Sequence, residues 1–230
     1  MIYHENMKNK FIDSITSYFK SITLAKVVGV LLGNFIIGLG VAGLKLSLMG
    51  NDPYTAMILA LSDVTHFRIG NFQLVVNLVI FIIQLIFGRK YIGFGTLVNM
   101  CLLGYLLEFW SWVLENTIGS AEGHGFIYSL IYMILSLICI GLGLSMYQTA
   151  NLGVSPYDYL ALGMTDAFKP PYFVNRIITD ATCVMVIVII VLFKLLPLSG
   201  SHLGLGTVLC AFCFGPIIHF FDRFSVKWIK

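Results

Sequence analysis

Gly50-Asn51-Asp52-Pro53-Tyr54 returns as Gly153-Val154-Ser155-Pro156-Tyr157, 103 residues further along the chain. Upstream, Gly38-Leu39-Gly40 returns as Gly141-Leu142-Gly143 at the same offset. Downstream, Leu59, Asp63 and Asn77 fall on Leu162, Asp166 and Asp180. Beyond an eight-residue insertion, Gly93-Phe94-Gly95-Thr96 falls on Gly204-Leu205-Gly206-Thr207, and Gly104 and Phe109 fall on Gly215 and Phe220. An internal duplication in an apolar chain points to a membrane protein built from two related halves.

The chain has 230 residues, of which 58% are hydrophobic and 11% charged. A soluble domain carries about 25% charged residues, so the composition indicates one membrane domain. A helix needs about 20 apolar residues to cross about 30 Å of hydrocarbon. Six stretches qualify, near 24–46, 71–88, 92–114, 126–149, 172–194 and 203–221. They are too long and continuous for barrel strands, which alternate over about ten residues. The expected fold is all-α, with six transmembrane helices and no enzyme or nucleic-acid signature.

Each half then holds three spans. An odd number makes the second half sit upside down relative to the first, giving two inverted three-helix repeats. The organisation read from sequence is an N-terminal segment 1–23, a first repeat 24–114, an outer loop 115–125, a second repeat 126–222 and a tail 223–230. Residues 53–66 and 156–168 are too short to cross as helices. If they crossed, the repeats would be parallel. They carry helix-start chemistry: Asp52 and Ser155 at the N-cap, Pro53 and Pro156 at the first helical position, and Gly50 and Gly153 before the turn. Ser155-x-x-Asp158 resembles a capping box with Asp in the Glu position. Such a capped helix is either re-entrant or lies along the interface.

Orientation follows from charge. With the N-terminus in the cytoplasm, 11 Lys and Arg residues fall on cytoplasmic segments, and Lys45, Arg68 and Lys194 alone fall outside. That asymmetry places both termini on the cytoplasmic side of the membrane. Residues 11–22 set Phe11, Ile12, Ile15, Tyr18, Phe19 and Ile22 at helical spacing, as in an interfacial helix. No cleavable signal is evident. Five cysteines lie within apolar spans and read as packing residues, not as a disulfide framework.

The short Gly-rich turns and the Gly-x-Gly-Thr openings resemble those of the YczE/YyaS/YitT group of bacterial integral membrane proteins. The second half carries the likeness best, in Asn151-Leu152-Gly153-Val154-Ser155-Pro156-Tyr157-Asp158 and His202-Leu203-Gly204-Leu205-Gly206-Thr207. The first half departs from it, with Thr55 where the second has Asp158. The resemblance spans about residues 25–222. It implies a multi-span bacterial membrane protein and names no substrate.

Ionisable groups inside a bilayer cost about 2.5–3.5 kcal/mol at a helix centre, so each calls for a reason. Asp180 lies in the fifth span opposite its repeat mate Asn77, with Arg176 one turn earlier. Read one way, Arg176 and Asp180 are a self-neutralised pair. Read the other, Asp180 with Asn77 is a proton or cation site. Asp52, Ser155 and Asp158 read first as caps. The alternative is an anion at a helix N-terminus, which Asp52 opposes because its carboxylate already takes that place. Gly93, Gly95, Gly204 and Gly206 lack the Lys and strand context of a phosphate loop, and read as close helix packing. The five histidines show no metal-ligand spacing, and no nucleotide or hydrolase motif is present, so no cofactor or metal is expected.

The expected function is a small-solute transporter or permease working by alternating access, coupled to an ion gradient, to facilitated flow or to a separate ATPase. Its partners would be the lipid bilayer, an unidentified solute, and a second copy or another membrane protein. The alternative is a non-transporting membrane accessory protein that binds or stabilises a partner. A polar, water-accessible cavity between the halves would favour transport; an apolar filling would favour the accessory role.

Overall fold

The computed structural model describes residues 22–193, 195–197 and 202–229. The interfacial helix expected at 11–22 therefore lies, but for Ile22, outside the described residues. The described chain is all-helical: α1 Leu24–Ser47, α2 Pro53–Thr65, α3 Ile69–Phe87, a 3₁₀ turn Arg89–Tyr91, α4 Phe94–Thr117, α5 Phe126–Ala150, α6 Pro156–Phe168, α7 Tyr172–Leu192 and α8 Leu205–Ile229.

By length and apolarity, α1, α3, α4, α5 and α7 can each cross a membrane. α8 is a sixth if its two parts, Leu205–Phe214 and Pro216–Ile229, form one span across a 50° bend. The bend falls at Pro216, whose ring removes a helix hydrogen bond and crowds the preceding turn. α8 continues to Ile229, through residues the sequence assigns to a tail. The 13-residue α2 and α6 reach about 20 Å each and cannot cross alone. The outer faces of α3 and α7 expose Val75, Val79, Ile82, Ile177 and Met185, the apolar surface that a lipid solvent accepts.

The centre of the bundle is the antiparallel packing of α1 against α5. Glycines let the two backbones approach. A Cβ on Gly40 would sit 2.7 Å from the Ser136 carbonyl oxygen and 2.6 Å from Ile140 Cγ1. A Cβ on Gly143 would sit 2.7 Å from the Gly33 oxygen and 2.8 Å from Ile37 Cγ1. Val30, Ile37, Val41, Leu44, Leu137 and Ile140 fill the space around this crossing. α4 runs alongside α1 in the same direction: Asn99 Nδ2 donates to Asn34 Oδ1 (2.9 Å), and Ala121 N–H donates to the Leu46 carbonyl (2.9 Å).

Two turns are sealed by the opposite half of the chain. After α1, Gly206 N–H donates to the Met49 carbonyl (2.6 Å) and Asn51 N–H to the His202 carbonyl (3.2 Å). After α5, Gly95 N–H donates to the Leu152 carbonyl (2.7 Å) and Val154 N–H to the Tyr91 carbonyl (2.9 Å). Gly50 and Gly153 adopt φ of +97° and +117° there, a region that side chains disfavour. Thr96 and Thr207 close the starts of α4 and α8, each accepting from the backbone N–H of Gly93 or Gly204 (3.1 and 3.2 Å).

The far ends of the short helices are tied in the same crosswise manner. Asp63 on α2 lies 2.9 Å from His202 before α8. Asp166 on α6 lies 2.8 Å from Lys90 and accepts from the Tyr91 hydroxyl (3.1 Å) before α4. The bond from Lys90 holds the Asp166 carboxyl below the usual carboxylate range, and Asp166 raises Lys90 in turn.

Gly40→Leu forces the α1/α5 crossing apart and should cost about 1–3 kcal/mol, the usual range for overpacking. For a chain of this length that lowers the melting temperature by several degrees. Gly125→Ala, where an added Cβ meets nothing within 4 Å, should leave it unchanged. Thermal unfolding of both purified variants in detergent checks this.

Candidate functional site

The site begins with how the chain leaves α1. Asn51 is fully buried, and its side-chain amide donates to the Val41 carbonyl (3.2 Å), six residues back from the end of the helix. The backbone therefore folds back along α1, and α2 starts beside the middle of the bundle. Asp52 caps it by accepting the Thr55 N–H (3.0 Å), with Pro53 at the first helical position. α6 starts in the same way, with Ser155 Oγ accepting the Asp158 N–H (3.1 Å). Asp158 does not complete a capping box. Its carboxylate accepts a hydrogen bond from the Ser155 hydroxyl (2.8 Å) and turns towards Arg176 instead.

The first turns of α2 and α6 meet. Tyr54 and Tyr157 stack with ring centroids 4.3 Å apart and planes 18° from parallel. Each hydroxyl points to the polar residue on the neighbouring long helix of its own half. Tyr54 donates to Asn77 Oδ1 on α3 (2.7 Å), and Tyr157 donates to Asp180 Oδ1 on α7 (2.6 Å). Arg176 lies over the Tyr157 ring, 4.7 Å from its centroid. It pairs with Asp158 and, through Nε, with Asp180 at 3.3 Å. An arginine shared by two carboxylates on the face of an aromatic ring combines charge-assisted hydrogen bonds with a cation–π contact.

These groups line one cavity of about 460 Å³, within the range of small-molecule sites. The structure brings all six site residues expected from sequence to its wall: Asp52, Asn77, Ser155, Asp158, Arg176 and Asp180. Pro53 also lines it, whereas Gly50, Gly93, Gly95, Gly153, Gly204, Gly206 and Pro156 belong to the turns and helix starts behind it. The wall also holds Tyr54, Tyr157, His219 and Asp222, which were not singled out as site residues in the sequence. Tyr54 and Tyr157 stand in the repeated motif, so their signal was visible. His219 and Asp222 on α8 fall on Glu108 and Ser111 of the first half, so their polar pairing was also present in the duplication. Asp222 accepts from Ser145 (2.8 Å). Gln73, the counterpart of Arg176 at the 103-residue offset, also lines the cavity and is 3% exposed. Among the described residues no group of His, Cys, Asp and Glu is arranged to hold a metal ion.

Arg176→Gln removes the cation shared by Asp158 and Asp180. It should cost about 3 kcal/mol, the usual penalty for stranding a buried charge partner. Asp180→Asn leaves Arg176 a carboxylate and should cost less. Adding Asp158→Asn to Arg176→Gln should recover part of the loss, since the two changes are coupled. Melting temperatures of the three variants in detergent decide this.

Comparison with known proteins adds a family. The chain is 25% identical over 190 residues to the uncharacterized protein YyaS of Bacillus subtilis strain 168, covering 83% of this chain and 89% of that one. It is 25% identical over 214 residues to the uncharacterized membrane protein YczE of the same strain, covering 93% and 87%. An uncharacterized protein of Haemophilus influenzae aligns at 25% identity over 207 residues, covering 90% and 85%. No solved structure matches. Residues 24–223 match the family described as a family of unknown function, DUF6198, and the chain belongs to that family.

Proposed function

We propose that this membrane protein is a small-solute transporter or permease, with its site in the cavity where α2 and α6 begin. The observation that carries this reading is the cavity's lining: carboxylates, an arginine, two stacked tyrosines and buried amides lie at the heart of an otherwise apolar bundle. Charged groups in such a place are costly, and a solute or ion path is the reason a membrane protein keeps them. A protein that served only as a scaffold would gain more from apolar filling.

The architecture of the proposal is two inverted repeats, 24–114 and 126–222, related by an axis in the membrane plane. Several pairs of contacts support it. Gly40 meets Ser136 as Gly143 meets Gly33, and the turn at Met49 meets α8 as the turn at Leu152 meets α4. α2 and α6 then act as re-entrant half-helices whose N-termini meet at the centre, one approaching from each side. Irregular backbone is tolerated at that depth because it lines a cavity and is hydrogen-bonded by neighbouring helices. Rocking of one half against the other would expose the site alternately. Both termini would be cytoplasmic, from the distribution of Lys and Arg.

The arrangement is testable at the exposed C-caps of the short helices, His66 and Lys169. Single cysteines there, in a background without the five native cysteines, should react with a membrane-impermeant maleimide from opposite sides of the membrane. A third cysteine at Asn77 should react with a small water-soluble thiol reagent, because it lines the cavity. Labelling of His66 and Lys169 from one side would overturn the inverted arrangement. An inert Asn77 cysteine would point to a sealed interior and to the accessory role.

A further inference from the structure

The two halves of the cavity are not chemically equal. At the 103-residue offset Tyr54 matches Tyr157, Asn77 matches Asp180, Thr55 matches Asp158, Gln73 matches Arg176 and Asp52 matches Ser155. In the second half a guanidinium, Arg176, lies on the tyrosine ring and satisfies two carboxylates. In the first half the matching position on α3 is the neutral Gln73. Gln73 is 3% exposed and lines the cavity. Asp52 lines the same cavity and makes no ion pair among the described residues; its side chain takes the Thr55 N–H.

We propose that the cavity binds a small organic cation, a primary ammonium or a guanidinium, against Tyr54, with Asp52 as its counter-charge and Gln73 and Asn77 as hydrogen-bond acceptors. The ligand's head group thus does in the first half what Arg176 does in the second. The proposal rests on the reading of this cavity as a solute site. The charge balance favours it: Asp158 and Asp180 already share Arg176, which leaves Asp52 and Asp222 as carboxylates on the wall, with His219 beside them. An anion is disfavoured, because carboxylates already occupy the helix starts and the arginine that would attract one. Ile37, Val41, Leu103, Ile140, Leu144 and Phe214 give the cavity an apolar wall that suits an alkyl body on the cation.

The test uses the purified full chain in detergent, with butylammonium and butylguanidinium chloride as probes, sodium chloride at equal ionic strength as reference, and sodium butyrate as the anionic control. Either cation should raise the melting temperature saturably, and calorimetric titration should show a single site. Asp52→Asn should weaken that affinity by at least about tenfold, as expected on removing one partner of a desolvated charge pair. Gln73→Arg supplies a resident guanidinium at the same place; it should fold, melt at least as high as the parent and no longer bind either probe. This second variant keeps the test open if Asp52→Asn fails to fold. Stabilisation by butyrate and not by the cations, or cation binding untouched in Gln73→Arg, would overturn the proposal. Binding is read without any transport, so a chain that binds the cation but carries nothing in proteoliposomes refutes the transport reading alone.

Discussion

An amide N–H or carbonyl that has left a helix in an apolar interior has no water to turn to, and this constraint governs the molecule. The chain breaks its helical ladder twice at depth, at Met49–Asp52 and at Leu152–Ser155. Each break is tolerable because the first turn of a distant helix meets it: α8 at the first, α4 at the second. The approach is close, with glycines on both sides of each contact. A side chain on Gly50 would collide with the Gly204 backbone, and one on Gly153 would sit 2.7 Å from the Gly93 nitrogen. The glycine motifs are thus the means by which two broken helices survive away from water.

What the breaks make available is a pair of helix starts at the middle of the bundle. A helix placed there brings its N-terminal donors, its capping side chain and the residue after its proline to one point. Here that residue is a tyrosine in both halves, and the stacked Tyr54 and Tyr157 form the junction on which Asn77, Asp180 and Arg176 are organised. The polar groups gather because the backbone was broken to bring them together.

Much of this could be read from the chain. The apolar stretches set out the long helices, and Asp52-Pro53 and Ser155-Pro156 located the starts of α2 and α6, because capping chemistry is local. The pairing of Arg176 with Asp180 followed from a four-residue spacing. Other features depended on contacts far apart in sequence. Nothing near Asn51 says that its amide reaches back to Val41, so the folding of the chain back along α1 was not legible in the sequence. The turn of Asp158 away from its capping role depends on Arg176, 18 residues later. His219 and Asp222 reach the cavity along a helix bent at Pro216, a direction that no periodicity conveys.

The crosswise sealing of the turns also bears on how the chain is made. The carbonyl of Met49 finds its donor in Gly206, and the amide of Asn51 finds its acceptor in His202, at the start of the last helix. While the first half is being synthesised those groups have no final partner, and they gain one only after some 150 further residues have followed. The first half therefore emerges as an unfinished object, held by lipid, by the insertion machinery or by transient water. The last helix locks the assembly, so a ribosome that stops before residue 202 leaves behind a chain whose earliest turn has never closed.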